Sequence, residues 1–362
     1  MIYLVDLESV ESRYTKQWKT HFPTLLKENG LNVTVIDGPS AGIPEATTPG
    51  AFLNFGGTNI YKAAQISKIA ELFCNGKVKD GDYFLYTDAW NPTVIQLKYM
   101  AELLGVKIRI GGMWHAGSYD PQDFLGRLIG DASWVRNAEM SMYDCYDDNF
   151  FATRFHIDLF TSTFWKDDRD IDRQLLHSIR QVGWPMEYIE KDLAPYRNME
   201  KEDIILFPHR IAPEKQPEVF DYLAEQMPEY KFIKCQELNL SKRDYHKLLG
   251  KAKMVFSANL QETLGISVYE GLVVGAIPLV PDRLSYSEMW SDTFKYPSEW
   301  TRDLESAKQN IDNIKTRIRI LMKSNTDLQD IMDKEVDKVK QFYYADKLIE
   351  RLTESMDPVK FA

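Results

Sequence analysis

Short apolar runs alternate with amphipathic stretches along most of the chain, and this alternation restricts the fold more than any other feature. A strand that is apolar at every position must be covered on both faces, and parallel sheets sandwiched by helices supply that cover. In the first half, Ile2-Tyr3-Leu4-Val5 reads as the opening strand. A helix is expected from Ser9 to Glu28, stopped by Asn29-Gly30, and a second strand from Leu31 to Ile36. Further strands are expected at Ala51 to Phe55, Asp82 to Tyr86 and Lys107 to Ile110, with helices from Ile60 to Phe73 and from Pro92 to Leu104. A second set starts near Asp203, with strands at Ile204 to Phe207, Tyr230 to Ile233, Lys253 to Phe256 and Ala276 to Val280. Its helices are expected at Glu214 to Gln226, Arg243 to Leu249 and Ile266 to Val274. The fold class is therefore α/β, with two Rossmann-like domains.

The polar, breaker-rich segment from Gly183 to Asn198 separates the two sets. At 362 residues the chain has material for two cores. We divide it into residues 1–190, 191–338 and 339–362. The last part is a helical tail whose Phe342, Ala345, Ile349, Leu352 and Met356 form one apolar stripe that must pack on something. A composition of 44% hydrophobic and 27% charged residues excludes a disordered or collagen-like chain. No apolar run approaches the roughly 20 residues of a membrane span, and the N-terminus lacks a signal-peptide pattern. Three distant cysteines, Cys74, Cys145 and Cys235, suit a reducing cytosol better than a disulfide framework. The net charge of −10 divides evenly about Trp165, so no basic lobe advertises nucleic-acid binding.

Open parallel sheets bind ligands beyond the carboxyl ends of their strands, so the residues following each strand are the candidates. Arg210 follows a strand and Lys215 opens the next helix. Cations there oppose the helix dipole unless an anion such as a pyrophosphate lies between them; two solvated side chains are the alternative. Glu262 and Glu270 are eight residues apart, about 12 Å along a helix axis, a span that suits a ligand with hydroxyls at both ends. Backbone amides around Thr263, Leu264 and Gly265 would face its phosphates. Helices hold many glutamates, so the pair alone says little.

His115, in Gly111-Gly112-Met113-Trp114-His115, follows another strand and reads as a sugar or acceptor contact, or as a structural histidine. Asp88 reads equally as a group that orients an acceptor hydroxyl and as a helix cap, with Trp90 beside it as a stacking platform. Arg13, Lys16 and Lys19, with Trp18 and Phe22, mark an amphipathic core helix, a phosphate-contacting patch or a membrane-surface patch. Asp80-Gly81-Asp82 and Asp168-Arg169-Asp170 have a metal-binding form but read as solvated faces. No zinc spacing, nucleophile elbow or phosphate loop is present.

From Ile204 to Asp282 the order is strand, Arg-x4-Lys, helix, strand, helix, strand, Glu-x7-Glu, helix and Gly275-Ala276-Ile277-Pro278-Leu279-Val280. This resembles the retaining glycosyltransferases of the GT-B fold, the sucrose-synthase-like family four in particular. The resemblance implies two domains facing across a cleft: acceptor binding by 1–190, nucleotide-sugar binding by 191–338, and a last helix that crosses back onto the first domain. It implies that Arg210 and Lys215 bind the donor diphosphate, that Glu262 and Glu270 bind donor sugar and ribose, and that His115 lies near the donor sugar. No cofactor is implied beyond the UDP-sugar donor itself, and no divalent metal is required. The chain departs from the family at Thr263 and Leu264, where glycine and an aromatic residue are usual.

The opening Met1 to Glu8 and the Asp-, Lys- and Met-rich style resemble tailed-phage proteins. Phages of the T-even type carry GT-B enzymes that add glucose or arabinose to 5-hydroxymethylcytosine. The resemblance therefore implies a DNA acceptor, contacted by Arg13, Lys16, Lys19 and Trp90, and a cytoplasmic site in an infected bacterium. The alternatives are a cell-envelope glycan or lipid-linked sugar as acceptor, a sugar-nucleotide epimerase, and an inactive UDP-sugar-binding module.

Overall fold

The computed structural model describes residues 1–9, 14–39, 53–130, 132–165, 177–323 and 326–356. The chain divides into two compact units. One comprises Met1–Pro185 with Tyr344–Ala362, the other Met186–Tyr343. No helix among the described residues is long and apolar enough to cross a membrane.

In the first unit, β1 (Ile2–Val5), β2 (Val33–Ile36), β3 (Tyr83–Tyr86), β4 (Arg109–Met113), β5 (Asp148–Phe151) and β6 (Ile179–Gln181) form a parallel sheet in the order β2-β1-β3-β4-β5-β6. β1 and β3 are buried at every position, which is why they read as unbroken apolar runs. The chain steps from β1 to β2 on one side and then to β3 on the other. The order reverses between β1 and β3, where Asp6 and Thr87 leave the sheet.

Strands β5 and β6 have no expected counterpart, and other features differ from the sequence expectation. β4 runs through Gly111 and Gly112 instead of stopping at Ile110. A Cβ on Gly112 would stand 2.6 Å from the Tyr146 ring, and one on Gly111 would collide with the Tyr83 hydroxyl, so the glycines admit aromatic packing within a strand. The strand expected at Ala51 to Phe55 gives way to a helix, Phe55–Cys74, whose N-cap Asn54 accepts a hydrogen bond from Gly57 N at 2.8 Å; Ala51 and Phe52 lie outside the described residues. The C-terminal helix is shorter than the stripe suggested, Asp346–Ser355, because Phe342 ends a separate 3-10 turn. Its buried face carries Leu348, Leu352 and Ser355.

That helix is tied to the sheet of its own unit by charge. The Asp148 carboxylate is fully buried. It accepts from Arg351 at 2.8 and 2.9 Å and from the Tyr83 hydroxyl at 3.0 Å, with Arg109 at 3.3 Å. Removing one partner of a buried ion pair leaves the other desolvated and undercompensated. Arg351→Met is therefore expected to destabilise the first unit by about 1–3 kcal/mol, less than a full buried-pair loss because Tyr83 and Arg109 remain. An unchanged urea midpoint would contradict this.

In the second unit, β7 (Glu202–Phe207), β8 (Lys231–Lys234), β9 (Ala252–Phe256), β10 (Ile277–Pro281) and β11 (Lys295–Tyr296) form a parallel sheet in the order β11-β10-β9-β7-β8. Here the order reverses between β7 and β9, and the residues after these two strands share that end of the sheet. The helix expected from Glu214 begins instead at Pro217. Pro217 disfavours the helical conformation at the residue before it, and Gln216 takes φ +52°. Lys215 consequently ends a short 3-10 turn, Pro213–Lys215, and is not part of the helix.

Candidate functional site

The switch point of the second unit gathers the loop after β7 and the loop after β9. The first carries His209, Arg210, Glu214 and Lys215; the second runs from Ser257 to Gly265 and leads into the helix Ile266–Val273. The Leu260 amide donates to the Glu214 carbonyl at 2.8 Å and joins the two loops.

Lys215 is buried, with its side chain 8% exposed. Its ammonium donates to the Gln261 carbonyl at 2.5 Å and lies 3.3 Å from Glu262 Oε2. Lys215 thus reaches Glu262, forty-seven residues on in the loop that leads into the helix Ile266–Val273, and not the N-terminus of the helix that begins at Pro217. The Glu262 carboxylate also accepts from Asn259 Nδ2 at 3.3 Å, Thr263 N at 3.2 Å and Leu264 N at 3.4 Å. Burial pushes the Glu262 carboxyl up, but the Lys215 charge and the Gly265 and Leu264 amides outweigh it and hold the group below the ordinary carboxylate range. Gly265 takes φ +75°, and a Cβ there would stand 2.9 Å from the Tyr286 ring, so both backbone and space call for glycine.

The other two residues of the expected quartet have different neighbours. Arg210 forms an ion pair with the buried Glu214 carboxylate. Glu270 accepts from the Tyr245 hydroxyl at 2.9 Å. Burial pushes the Glu270 carboxyl up, and the Tyr245 hydrogen bond opposes that. Nearby, burial and then the Glu270 charge push the Cys235 thiol up to about 12. Lys215 and Glu262 are therefore in direct contact, while Arg210 and Glu270 sit at the same end of the unit against partners of their own.

Several residues of the site escaped the sequence reading. Asn259 bridges Glu262 and the Tyr286 hydroxyl. Arg283 donates to the carbonyls of Ala258 and Asn259, each at 2.7 Å, and of Ser298 and Thr301, and so fixes the loop that bears Glu262. The Tyr343 hydroxyl donates to the Leu264 carbonyl at 2.7 Å, and its ring stacks on Tyr269 at 3.9 Å. His209 was legible as a strand-end residue beside Arg210; Tyr343 is 79 residues from Leu264 and carried no local signal.

In the first unit, His115 Nε2 is 2.6 Å from the Thr87 carbonyl and must donate to it, which leaves Nδ1, 2.6 Å from the Tyr14 hydroxyl, to accept in the neutral ring. Trp18 and Trp184 enclose the ring. Asp88 Oδ1 accepts from Trp90 N at 3.1 Å, a turn-capping bond. Trp90 Nε1 donates at 2.8 Å to the buried Glu139 carboxylate, which also holds Ser118. Lys16 is exposed. Lys19 donates to Asp6 Oδ2 at 2.6 Å and to the Tyr61 hydroxyl, so its charge is neutralised within the unit. Arg13 lies outside the described residues, as does Asp168-Arg169-Asp170. The other Asp-x-Asp segment is not solvated as expected: Asp82 is buried, 3.0 Å from the Met1 ammonium, and accepts from Lys79 N.

No protein-family model matches the chain, and no curated protein matches it in sequence. Solved structures do match in shape. A glycosyltransferase from Rickettsia africae shares 15% identity at a TM-score of 0.58, over 99% of each chain. Sucrose-phosphate synthase from Thermosynechococcus elongatus shares 12% at 0.58, over 98% of this chain and 97% of that one. HepE from Anabaena, solved in complex with UDP and glucose, shares 11% at 0.53, over 97% and 99%. The chain spans only 61% of the matched chain of the GtfA/B complex and 59% of Staphylococcus aureus TarM. At such identities the likeness is one of fold. The fold is GT-B.

His209 offers a direct check on the electrostatics of this site. Burial and then the Lys215 charge push its imidazole from 6.5 down to about 3. The unfolded chain binds a proton there near pH 6.5 and the folded chain does not, so acidification through that window favours unfolding. Urea unfolding between pH 7 and 5 should lose up to about 1.4 kcal/mol per pH unit from this group. His209→Gln should flatten the slope by that amount; an unchanged slope would show that His209 is already charged in the folded chain.

Proposed function

We propose that the chain is a retaining glycosyltransferase that takes its sugar from a UDP-sugar. The observation that carries this reading is the buried Lys215 beside Glu262 at the N-terminus of the helix Ile266–Val273, at the switch point of the second sheet. A buried lysine costs desolvation energy, and a helix N-terminus favours an anion; together they suit a diphosphate. That HepE, of the same fold, was solved with UDP and glucose agrees with this.

In the proposed reaction the glycosidic bond between the anomeric carbon and the β-phosphate oxygen breaks. The acceptor hydroxyl oxygen bonds to that carbon from the same face, and its proton passes to the departing diphosphate. Lys215 and Arg210 stabilise the negative charge that grows on the leaving oxygen. Glu262 accepts from donor sugar hydroxyls, and Glu270 from the ribose. In the first unit, His115 and Asp88 follow β4 and β3 and are assigned to the sugar and the acceptor hydroxyl.

For the acceptor we infer the hydroxymethyl group of 5-hydroxymethylcytosine in phage DNA, carried over from the resemblance and served by the exposed Lys16. The pairing of Lys19 with Asp6 removes one cation from that surface and favours the second reading, a cell-envelope glycan or lipid-linked sugar.

Isothermal calorimetry with UDP tests the donor site. Wild-type protein is expected to bind, and Lys215→Ala to bind at least about tenfold more weakly, the loss of one charge-assisted contact of about 1.5 kcal/mol or more. No binding by wild type would remove the donor reading. Incubation with UDP-sugars and hydroxymethylated DNA, read by nucleoside mass spectrometry, tests the acceptor. A hexose or pentose adduct on the modified base is expected, and its absence moves the assignment to the glycan reading.

A further inference from the structure

The Glu262 carboxylate sits where the proposed donor site needs an anion. Its donors include the Lys215 ammonium, the Asn259 amide and the backbone N–H groups of Thr263 and Leu264. A cation together with backbone amides that converge in the loop ahead of a helix is a donor set that a phosphate would use. We infer that Glu262 occupies the β-phosphate seat in the unliganded chain and must leave it when a nucleotide binds, which makes it a specificity-determining residue that favours intact nucleotide-sugar over bare nucleoside diphosphate. The inference rests on the donor reading above.

Three observations support the exchange. The four contacts span 3.2–3.4 Å. Bonds between charged groups settle nearer 2.7–2.9 Å, so the carboxylate is held loosely by many donors and not locked by one. Next, Lys215 is almost fully buried, and among the described residues Glu262 is the carboxylate with which it forms an ion pair. If Glu262 moves, an uncompensated buried ammonium remains unless another anion takes the place. Finally, the seat is held open from outside the carboxylate. Tyr343 fixes the Leu264 carbonyl and Arg283 fixes the Ala258 and Asn259 carbonyls, so the loop retains its shape when Glu262 turns away.

Two anions cannot share the seat, because like charges a few ångströms apart in a buried site repel strongly. A nucleotide-sugar displaces the carboxylate but also brings sugar hydroxyls, which give the displaced group new donors. A bare nucleoside diphosphate displaces it and offers none. The intact donor is thereby preferred over the product it becomes, and the diphosphate is released more readily after transfer.

The test uses UDP, which lacks a sugar, with wild-type protein, Glu262→Gln and Glu262→Ala, each checked for folding by its thermal transition. Both variants lack the competing charge. If the seat is filled about nine-tenths of the time in wild type, both should bind UDP about tenfold more tightly while losing sugar transfer. Equal or weaker UDP binding by the folded variants overturns the inference and leaves the donor reading intact, since a residue that merely organised the loop or touched only the sugar would give that result. Failure of all three proteins to bind UDP overturns the donor reading together with the inference.

Discussion

The contact between Lys215 and Glu262 is the interaction on which the account depends. Burying two opposite charges costs several kcal/mol per ion before their attraction is counted, and such pairs are poor sources of stability. This pair is flanked by backbone amides at the start of a helix, by Asn259 and by a histidine kept neutral by burial. Each neighbour either donates a hydrogen bond to an anion or carries no charge of its own. The local field therefore favours a negative group at this place whether or not Glu262 supplies it.

Topology explains why the pair forms where it does. Strand order reverses between β7 and β9, so the loops after these strands emerge side by side at the carboxyl end of the sheet. Lys215 comes from one loop and Glu262 from the other. The break at Gln216 keeps Lys215 out of the following helix and lets its side chain reach the second loop. The first unit has the same reversal between β1 and β3, but there Asp6 and Lys19 neutralise each other and Tyr61 and Gln65 hydrogen-bond to Asp6.

Strands β1, β3, β7, β9 and β10 were legible in the sequence because burial on both faces writes itself as an apolar run, whereas β5, equally buried but opening on Asp148 and Asn149, and the short β6 and β11 were not expected. The reading failed where a residue's role depended on a distant partner. Gly111 and Gly112 look like a loop until the rings of Tyr83 and Tyr146 are placed over them. On the last helix Leu348 is buried where Ile349 was expected, while Ala345 and Leu352 of the expected stripe are buried as well. In the site, the spacing of Arg210, Lys215, Glu262 and Glu270 pointed to the carboxyl end of the second sheet, where Lys215 and Glu262 meet. That spacing could not reveal that Arg210 is paired with Glu214, that Glu270 faces Tyr245, or that Tyr343 and Arg283 brace the loop. Those contacts join segments separated by loops and helices, and only the folded chain brings them together.

A crystal structure of the protein with bound UDP tests the central claim most directly. The account predicts β-phosphate oxygens within hydrogen-bonding distance of Lys215 Nζ and of the amides at Thr263 and Leu264, with the Glu262 carboxylate turned away from them. A nucleotide whose phosphates lie elsewhere, with the contact between Lys215 and Glu262 unbroken, would contradict it.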